Sequence, residues 1–311
     1  MRALICGSIA YDNIMVFHDY FKNHILPEKT HMLNLSFVVP DMNRELGGCA
    51  GNIVYSMKLL EEDALPMATV GIDFDIYRER FQELNIDCRY IKVIEDKFTA
   101  QCFITTDLAG NQINFFQIGA MGYSHENSVP GDDGVSIGIV APDGKEGMLS
   151  HAEQFASAGI PFFFDPGQNV PLIERDEMLT AFDQANWIVF NDYEWQQIED
   201  KTGLTTNTVN DLVEALIVTR GGEGSIIYTK NSQYEIPPVT TSELVDPTGC
   251  GDAYRAGLLY GLMNEMDWET TGRIASLVGA FKIEKAGAQN HQFSKQEFAD
   301  RFEESFGYML S

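Results

Sequence analysis

Apolar positions fall in two rhythms along the chain. Short, nearly continuous apolar runs, each closed by Gly, Pro or a polar residue, occur at Arg2–Cys6, Met67–Gly71, Ile137–Val140, Pro161–Phe164, Trp187–Phe190, Leu216–Thr219 and Ser225–Thr229. Runs of this kind predict strands buried on both faces. Between them lie stretches of helical periodicity, clearest at Ala50–Leu60, Asp252–Asn264 and Trp268–Glu284. Strands alternating with helices predict an α/β fold: a doubly wound, mostly parallel sheet with helices on both faces.

Two stretches break the rhythm. Ile14–Pro40 and Cys88–Ile118 carry partly alternating, β-rich segments, notably Leu33–Val39, Thr99–Thr106 and Gln112–Gln117. Together they predict one small sheet built from two insertions, placed as a lid at the mouth of the larger sheet. The expected division is a core domain of residues 1–11, 47–87 and 119–311, with a lid of residues 12–46 and 88–118. An exposed lid edge predicts a homodimer through the lids. Gly122–Gly134 is polar and reads as an irregular loop.

The chain has 311 residues, 44% of them hydrophobic, enough for one large domain with a small appendage. No apolar run is long enough to cross a bilayer. The N-terminal apolar run lacks a small-residue cleavage motif and reads as a strand. Five cysteines, an odd number without CxxC spacing, predict neither a disulfide framework nor a zinc site and fit reduced thiols in a cytoplasm. The formal net charge of -25 argues against nucleic acid or an anionic membrane as a partner. It also means that any anionic substrate needs local positive potential from Mg²⁺, backbone amides or a few basic side chains.

One segment carries such a feature. Asp246-Pro247-Thr248-Gly249-Cys250-Gly251-Asp252 lies between a strand-like stretch and an apolar helix pattern. The glycines let the amides of Gly249, Cys250 and Gly251 turn toward one point at a helix N-terminus, where free amides attract anions. A phosphoryl group in transfer suits that environment. Asp252, in the first helical turn, is placed to take a proton from an attacking hydroxyl. The plainer alternative is an ordinary helix start, with Gly for the turn and Asp as a cap.

With Gly47-Gly48-Cys49-Ala50-Gly51-Asn52 upstream and Asp246–Asp252 downstream, the chain resembles the ribokinase family of carbohydrate and nucleoside kinases, and within it the bacterial adenosine kinases. Gly7-Ser8-Ile9-Ala10 with Asp12, Leu33–Phe37, Gly119-Ala120-Met121, Asp165-Pro166 with Gln168, and Asn191–Trp195 carry the same resemblance. It implies transfer of the ATP γ-phosphoryl group to the 5′-hydroxyl of adenosine, with Asp252 as base and the Gly249–Gly251 amides as anion hole. It implies that Asn191 and Glu194 position Mg²⁺ through water. Thr219, Arg220, Gly221 and Gly224 would hold the nucleotide with Asn191. Asp246, Thr248 and the backbone near Gly287 would bind a monovalent cation, usually K⁺. Asp12 and Asn52 would hold the ribose hydroxyls with Gly48 packed against the sugar. Ser8, Ser36, Gln168 and Asn169 would surround the nucleoside, and Phe116 would stack on its base.

Three positions depart from the family pattern. Cys250 stands where Ala is common, Asn169 replaces a second glutamine, and Cys102 occupies the place of a second stacking aromatic. Other acceptors therefore stay open: ribose, another sugar, or another nucleoside such as inosine or guanosine. A silent nucleoside sensor on the same fold is a further alternative, opposed by the intact Asp252. An NAD-linked dehydrogenase is disfavoured because no G-x-G-x-x-G follows the first strand. Asn191 and Glu194 also have the spacing of a helix capping pair.

Overall fold

The computed structural model describes residues 1–25, 34–131 and 133–310. Its thirteen strands are β1 (Ala3–Cys6), β2 (Ala10–Val16), β3 (Met42–Gly47), β4 (Ala64–Val70), β5 (Tyr90–Val93), β6 (Ala100–Thr106), β7 (Gln112–Gln117), β8 (Ile137–Val140), β9 (Phe162–Phe164), β10 (Trp187–Asn191), β11 (Ala215–Thr219), β12 (Ser225–Thr229) and β13 (Gln233–Ile236). The helices are α1 (Cys49–Leu59), α2 (Asp75–Glu83), α3 (Lys145–Ala158), α4 (Arg175–Gln184), α5 (Asp192–Thr202), α6 (Cys250–Met263), α7 (Trp268–Ile283) and α8 (Lys295–Phe306).

Nine strands form one sheet in the order β13-β12-β11-β10-β9-β8-β1-β4-β5. Pairing is parallel from β11 to β5 and antiparallel only for β12 and β13. The apolar runs are buried as expected: β1, β4, β8 and β9 are buried at every position. One core face gathers Ile5, Ile139, Phe163, Val189 and Ile217 with helices α1 and α6. The other gathers Leu4, Val140, Phe164, Ile188 and Phe190 with α3, α4 and α5. The two cores sit on opposite sides of the sheet because successive strand residues point to opposite faces. Helix α6 is apolar nearly all round, which suits an element packed between the sheet and α7. No described helix is long and apolar enough to cross a membrane.

A four-stranded sheet in the order β3-β2-β6-β7 forms the second layer. Strands β6 and β7 match the predicted runs closely. Three details differ from the sequence reading. Residues 34–39 form no strand, and Leu33 lies outside the described residues. Phe37 leaves the extended line to pack on Phe17 and Phe21, while Val38 is exposed. The strand positions are taken instead by β2 and β3, which start before and end after the expected lid limits. Residues 90–93 fall within the expected lid span, but β5 pairs with β4 at the edge of the large sheet. Within the predicted loop at Gly122, residues Gly119–Glu126 make 3₁₀ turns.

Candidate active site

The carboxyl ends of β1, β8, β9, β10 and β11 open onto the N-termini of α1 and α6, where ligands bind in sheets of this type. Gly48 starts α1 with φ of 89°, and a Cβ there would stand 2.6 Å from the Ala10 amide nitrogen and the Ser8 carbonyl. Only glycine lets the start of α1 lie that close to the β1–β2 turn. Ser8 caps the join: its Oγ accepts from the Cys49 amide at 3.1 Å. Gly249 plays the matching part at α6, with φ of 77° and its bare Cα facing Ala288.

These two helix starts bring together residues two hundred positions apart. Asn52 Nδ2 donates to Asp252 Oδ2 at 2.8 Å. Asn52 Oδ1 accepts from Gln289 Nε2 at 2.9 Å, and the Tyr77 hydroxyl beside Gln289 donates to the Gly47 carbonyl at 2.9 Å. Gly47 in turn backs the Asp12 carboxylate: a Cβ there would lie 2.5 Å from Asp12 Oδ2. A continuous polar network thus runs from Asp252 to the edge of the lid.

Burial pushes the Asp252 carboxyl up to about 6, against the pull of the Asn52 hydrogen bond and Arg255. Asp12 is likewise raised to about 6, by burial and then by the Asp246 and Glu45 carboxylates. Desolvation dominates both shifts because each carboxyl gains less from its neighbours than it loses in hydration. Beneath Asp252, Arg255 makes a buried fork onto Asp165 at 2.5 and 3.0 Å and donates to the Gly251 carbonyl at 3.1 Å. This pair fixes the first turn of α6 from below.

The amides at the α6 start are not all equivalent. Cys250 N donates to the Pro247 carbonyl at 3.1 Å, so its hydrogen turns back into the loop. Among the described residues, nothing accepts from the Gly249, Gly251 or Asp252 amides. Of the three amides expected to form an anion hole, those of Gly249 and Gly251 are free of an acceptor among the described residues, as is that of Asp252, while that of Cys250 is engaged. The Cys250 thiol is pushed up to about 11 by burial, which makes it a poor nucleophile despite its place at a helix N-terminus.

Across the lid, strand register puts Glu45, Asp12, Cys102 and Phe116 side by side on one face. Phe103 shares a row with Asn13 and Phe115 on the opposite face, so it does not supply the aromatic absent at Cys102. Phe116 is about half exposed on the edge strand. Ser36 is exposed, as is Gln168. Asn169 Nδ2 donates to the Asp143 carbonyl at 2.7 Å.

At the far end of the opening, Asn191 and Glu194 form a reciprocal capping box on α5, with Glu194 N donating to Asn191 Oδ1 at 2.7 Å and Asn191 N to Glu194 Oε2 at 2.8 Å. Thr219 ends β11 beside Asn191. Arg220 opens the Gly221–Glu223 turn, its amide donating to the Gly224 carbonyl at 2.8 Å.

The pfkB carbohydrate kinase model matches residues 12–295. The chain belongs to the pfkB family of carbohydrate kinases. Across 99% of both chains it is 46% identical to a Burkholderia thailandensis nucleoside kinase whose structure in complex with inosine superposes with a TM-score of 0.89. That protein is also known in complex with ADP-inosine. The Methanothermobacter thermautotrophicus nucleoside kinase is 30% identical over 98% of this chain and 96% of its own. The structure of the Methanocaldococcus jannaschii nucleoside kinase, an archaeal member of the ribokinase family, gives 28% identity and a TM-score of 0.89 over 97% and 98% of the two chains. This pfkB kinase is a phosphotransferase with an alcohol group as acceptor.

The two ions implied by the sequence resemblance would meet different surroundings. Glu194 spends Oε2 on its cap and keeps Oε1, and Asp165 and Asp192 act on it electrostatically. Mg²⁺ prefers a few carboxylates, water and substrate phosphates over a closed protein cage, and these residues fit it. Among the described residues no group of three metal-ligating side chains exists. The Asp246 segment is less open to an ion. Both Asp246 carboxylate oxygens accept backbone amides, Thr248 N at 2.9 Å and Gly287 N at 2.8 Å, and its carbonyl accepts from Lys282 Nζ at 2.8 Å. Arg255, Gln289, Tyr77 and Lys282 lie outside the site residues expected from the sequence, yet each touches the network around Asp252 or Asp246.

Proposed function

We propose that this kinase transfers the γ-phosphoryl group of ATP to the 5′-hydroxyl of a purine nucleoside, giving the nucleoside monophosphate and ADP. The observation that carries the reading is the 2.8 Å contact of Asn52 with Asp252. It joins the proton acceptor to the residue that, with Asp12, suits a vicinal ribose diol. One Asn52 N–H stays available for a hydroxyl while the other holds Asp252. Adenosine is the acceptor implied by the sequence resemblance, and the Burkholderia relative's complexes with inosine and ADP-inosine support extending the reading to inosine.

In this mechanism Asp12 and Asn52 fix the ribose, and Gly48 leaves room for its ring. Phe116 covers the base from the lid, and Cys102 beside it leaves a smaller, less selective wall. Asp252 accepts the 5′-hydroxyl proton as its oxygen attacks. The Gly249, Gly251 and Asp252 amides face the charge spread over the transferring group. Thr219, Arg220, Gly221 and Gly224 receive the nucleotide. Asn191 and Glu194 would hold Mg²⁺, which would supply neutralisation of the phosphate charge.

A panel of acceptors with Mg²⁺-ATP tests the substrate class. Inosine and adenosine are expected to give kcat/KM at least about 10²-fold above ribose, because a base adds contacts worth several kcal/mol. Ribose turned over as well as either nucleoside would favour the sugar-kinase reading. The assembly is testable separately. The lid edge strand β7 exposes Phe115 and Phe116, and unpaired apolar edges seek partners. We therefore expect light scattering to give twice the 34.8 kDa chain mass. A monomer at all working concentrations would contradict a lid-mediated dimer.

A further inference from the structure

Lys282 has no exposed surface at all. It lies in the last turn of α7, and no carboxylate stands within ion-pair distance among the described residues. Buried ammonium groups are rare and normally paired with a carboxylate. This one is solvated instead by backbone carbonyls, those of Asp246 at 2.8 Å and Lys285 at 3.0 Å. The Cys250 thiol approaches the same Asp246 carbonyl at 3.8 Å. Carbonyl oxygens gathered around a buried positive charge are the coordination a dehydrated alkali ion would seek. Here the charge is covalently attached to the chain.

The ammonium also ties two segments that matter to the site. Asp246 opens the loop that ends in the α6 N-terminus. Lys285 opens the strap that follows α7, whose Gly287 amide returns to Asp246 Oδ2 and whose Gln289 holds Asn52. Asn52 in turn holds Asp252. We propose that the Lys282 ammonium is a built-in cation that takes the place of a monovalent metal ion, locking the Asp246 loop and the 285–289 strap so that the α6 amides and Asp252 keep their positions. Lys282 is thus a positioning residue, and this kinase needs no K⁺. With Asp246's carbonyl already coordinated and a positive charge beside it, a K⁺ ion meets both lost ligands and repulsion.

The inference rests on Asp252 and the α6 start being the transfer centre. It is tested on the full-length enzyme by turnover of inosine with Mg²⁺-ATP, and by thermal unfolding without substrates, in KCl, NaCl and tetramethylammonium chloride of equal ionic strength. The native chain is expected to show rates within about twofold across the three salts and no K⁺-specific rise in Tm. Lys282→Ala opens the pocket. It is expected to lose about tenfold or more in kcat, as displaced catalytic groups do, and to regain both rate and Tm in KCl or ammonium chloride but not in tetramethylammonium chloride. A native enzyme stimulated about tenfold by K⁺, or a Lys282→Ala enzyme with native kcat in every salt, would overturn the proposal. The unfolding arm reads the cation site whether or not inosine is the acceptor, so failure of the substrate assignment and failure of the lysine assignment give different results.

Discussion

Asp252→Asn is expected to lower turnover by about 10²–10⁴-fold, the range lost with a general base, while nucleoside affinity stays close to that of the native chain. The amide cannot accept the 5′-hydroxyl proton, but it keeps the shape of the carboxyl and a partner for Asn52. Rapid-quench turnover together with calorimetric binding separates the two effects. Native turnover in this variant would remove Asp252 from the mechanism. A pH dependence accompanies it. With the Asp252 carboxyl raised to about 6, the base is protonated and inactive below that pH. Native kcat should therefore rise with pH through about 6 with unit slope and then level. Asp12 titrates in the same range, but a protonated Asp12 still donates to a ribose hydroxyl, so its effect falls on KM.

Arg255→Met and Asp165→Asn are each expected to destabilise the fold by about 3–5 kcal/mol, the cost of leaving one partner of a buried ion pair alone. The pair is nearly inaccessible, at 8% and 2% side-chain exposure, so solvent offers little screening. Such a loss is a large share of the roughly 5–15 kcal/mol that holds a typical domain together. The double replacement Arg255→Met with Asp165→Leu should recover part of it, because two apolar side chains leave no charge unmatched. Urea unfolding of the three variants measures this. Additive losses in the double variant would show that the two residues act separately. Where Arg255→Met remains folded, its pH limb should move upward, since Arg255 pulls the Asp252 carboxyl down.

The large sheet was legible because its strands are nearly continuous apolar runs with breakers at both ends. Strands β8 to β12 fall within a residue or two of the runs read from the sequence. The lid was harder. β2 and β3 carry Asp12, Asn13, Asn43, Arg44 and Glu45, polar residues that pair through their backbones and mask the alternation. Leu33–Val39 looked more like a strand than either, yet Phe37 is drawn into an aromatic cluster and the segment stays irregular where it is described. The glycine motifs placed the two helix starts in the sequence. Their meeting through Asn52 and Asp252 needed the fold. Arg255 and Asp165 are ninety positions apart, and no local pattern couples them. Lys282 did leave a trace. It follows Ile274 and Val278 at four-residue spacing, on the stripe of α7 that the core covers, so a buried lysine was readable from the period alone.

The fate of the transferred group tests the central claim most directly. The full-length enzyme is incubated with γ-labelled ATP, Mg²⁺ and inosine, and the products are resolved by mass spectrometry, with 5′-deoxyinosine as the control acceptor. The label should appear on the 5′-oxygen of the nucleoside in step with ADP, and 5′-deoxyinosine should give no labelled product. Label released only as inorganic phosphate, or carried by 5′-deoxyinosine as readily as by inosine, would contradict transfer to the 5′-hydroxyl.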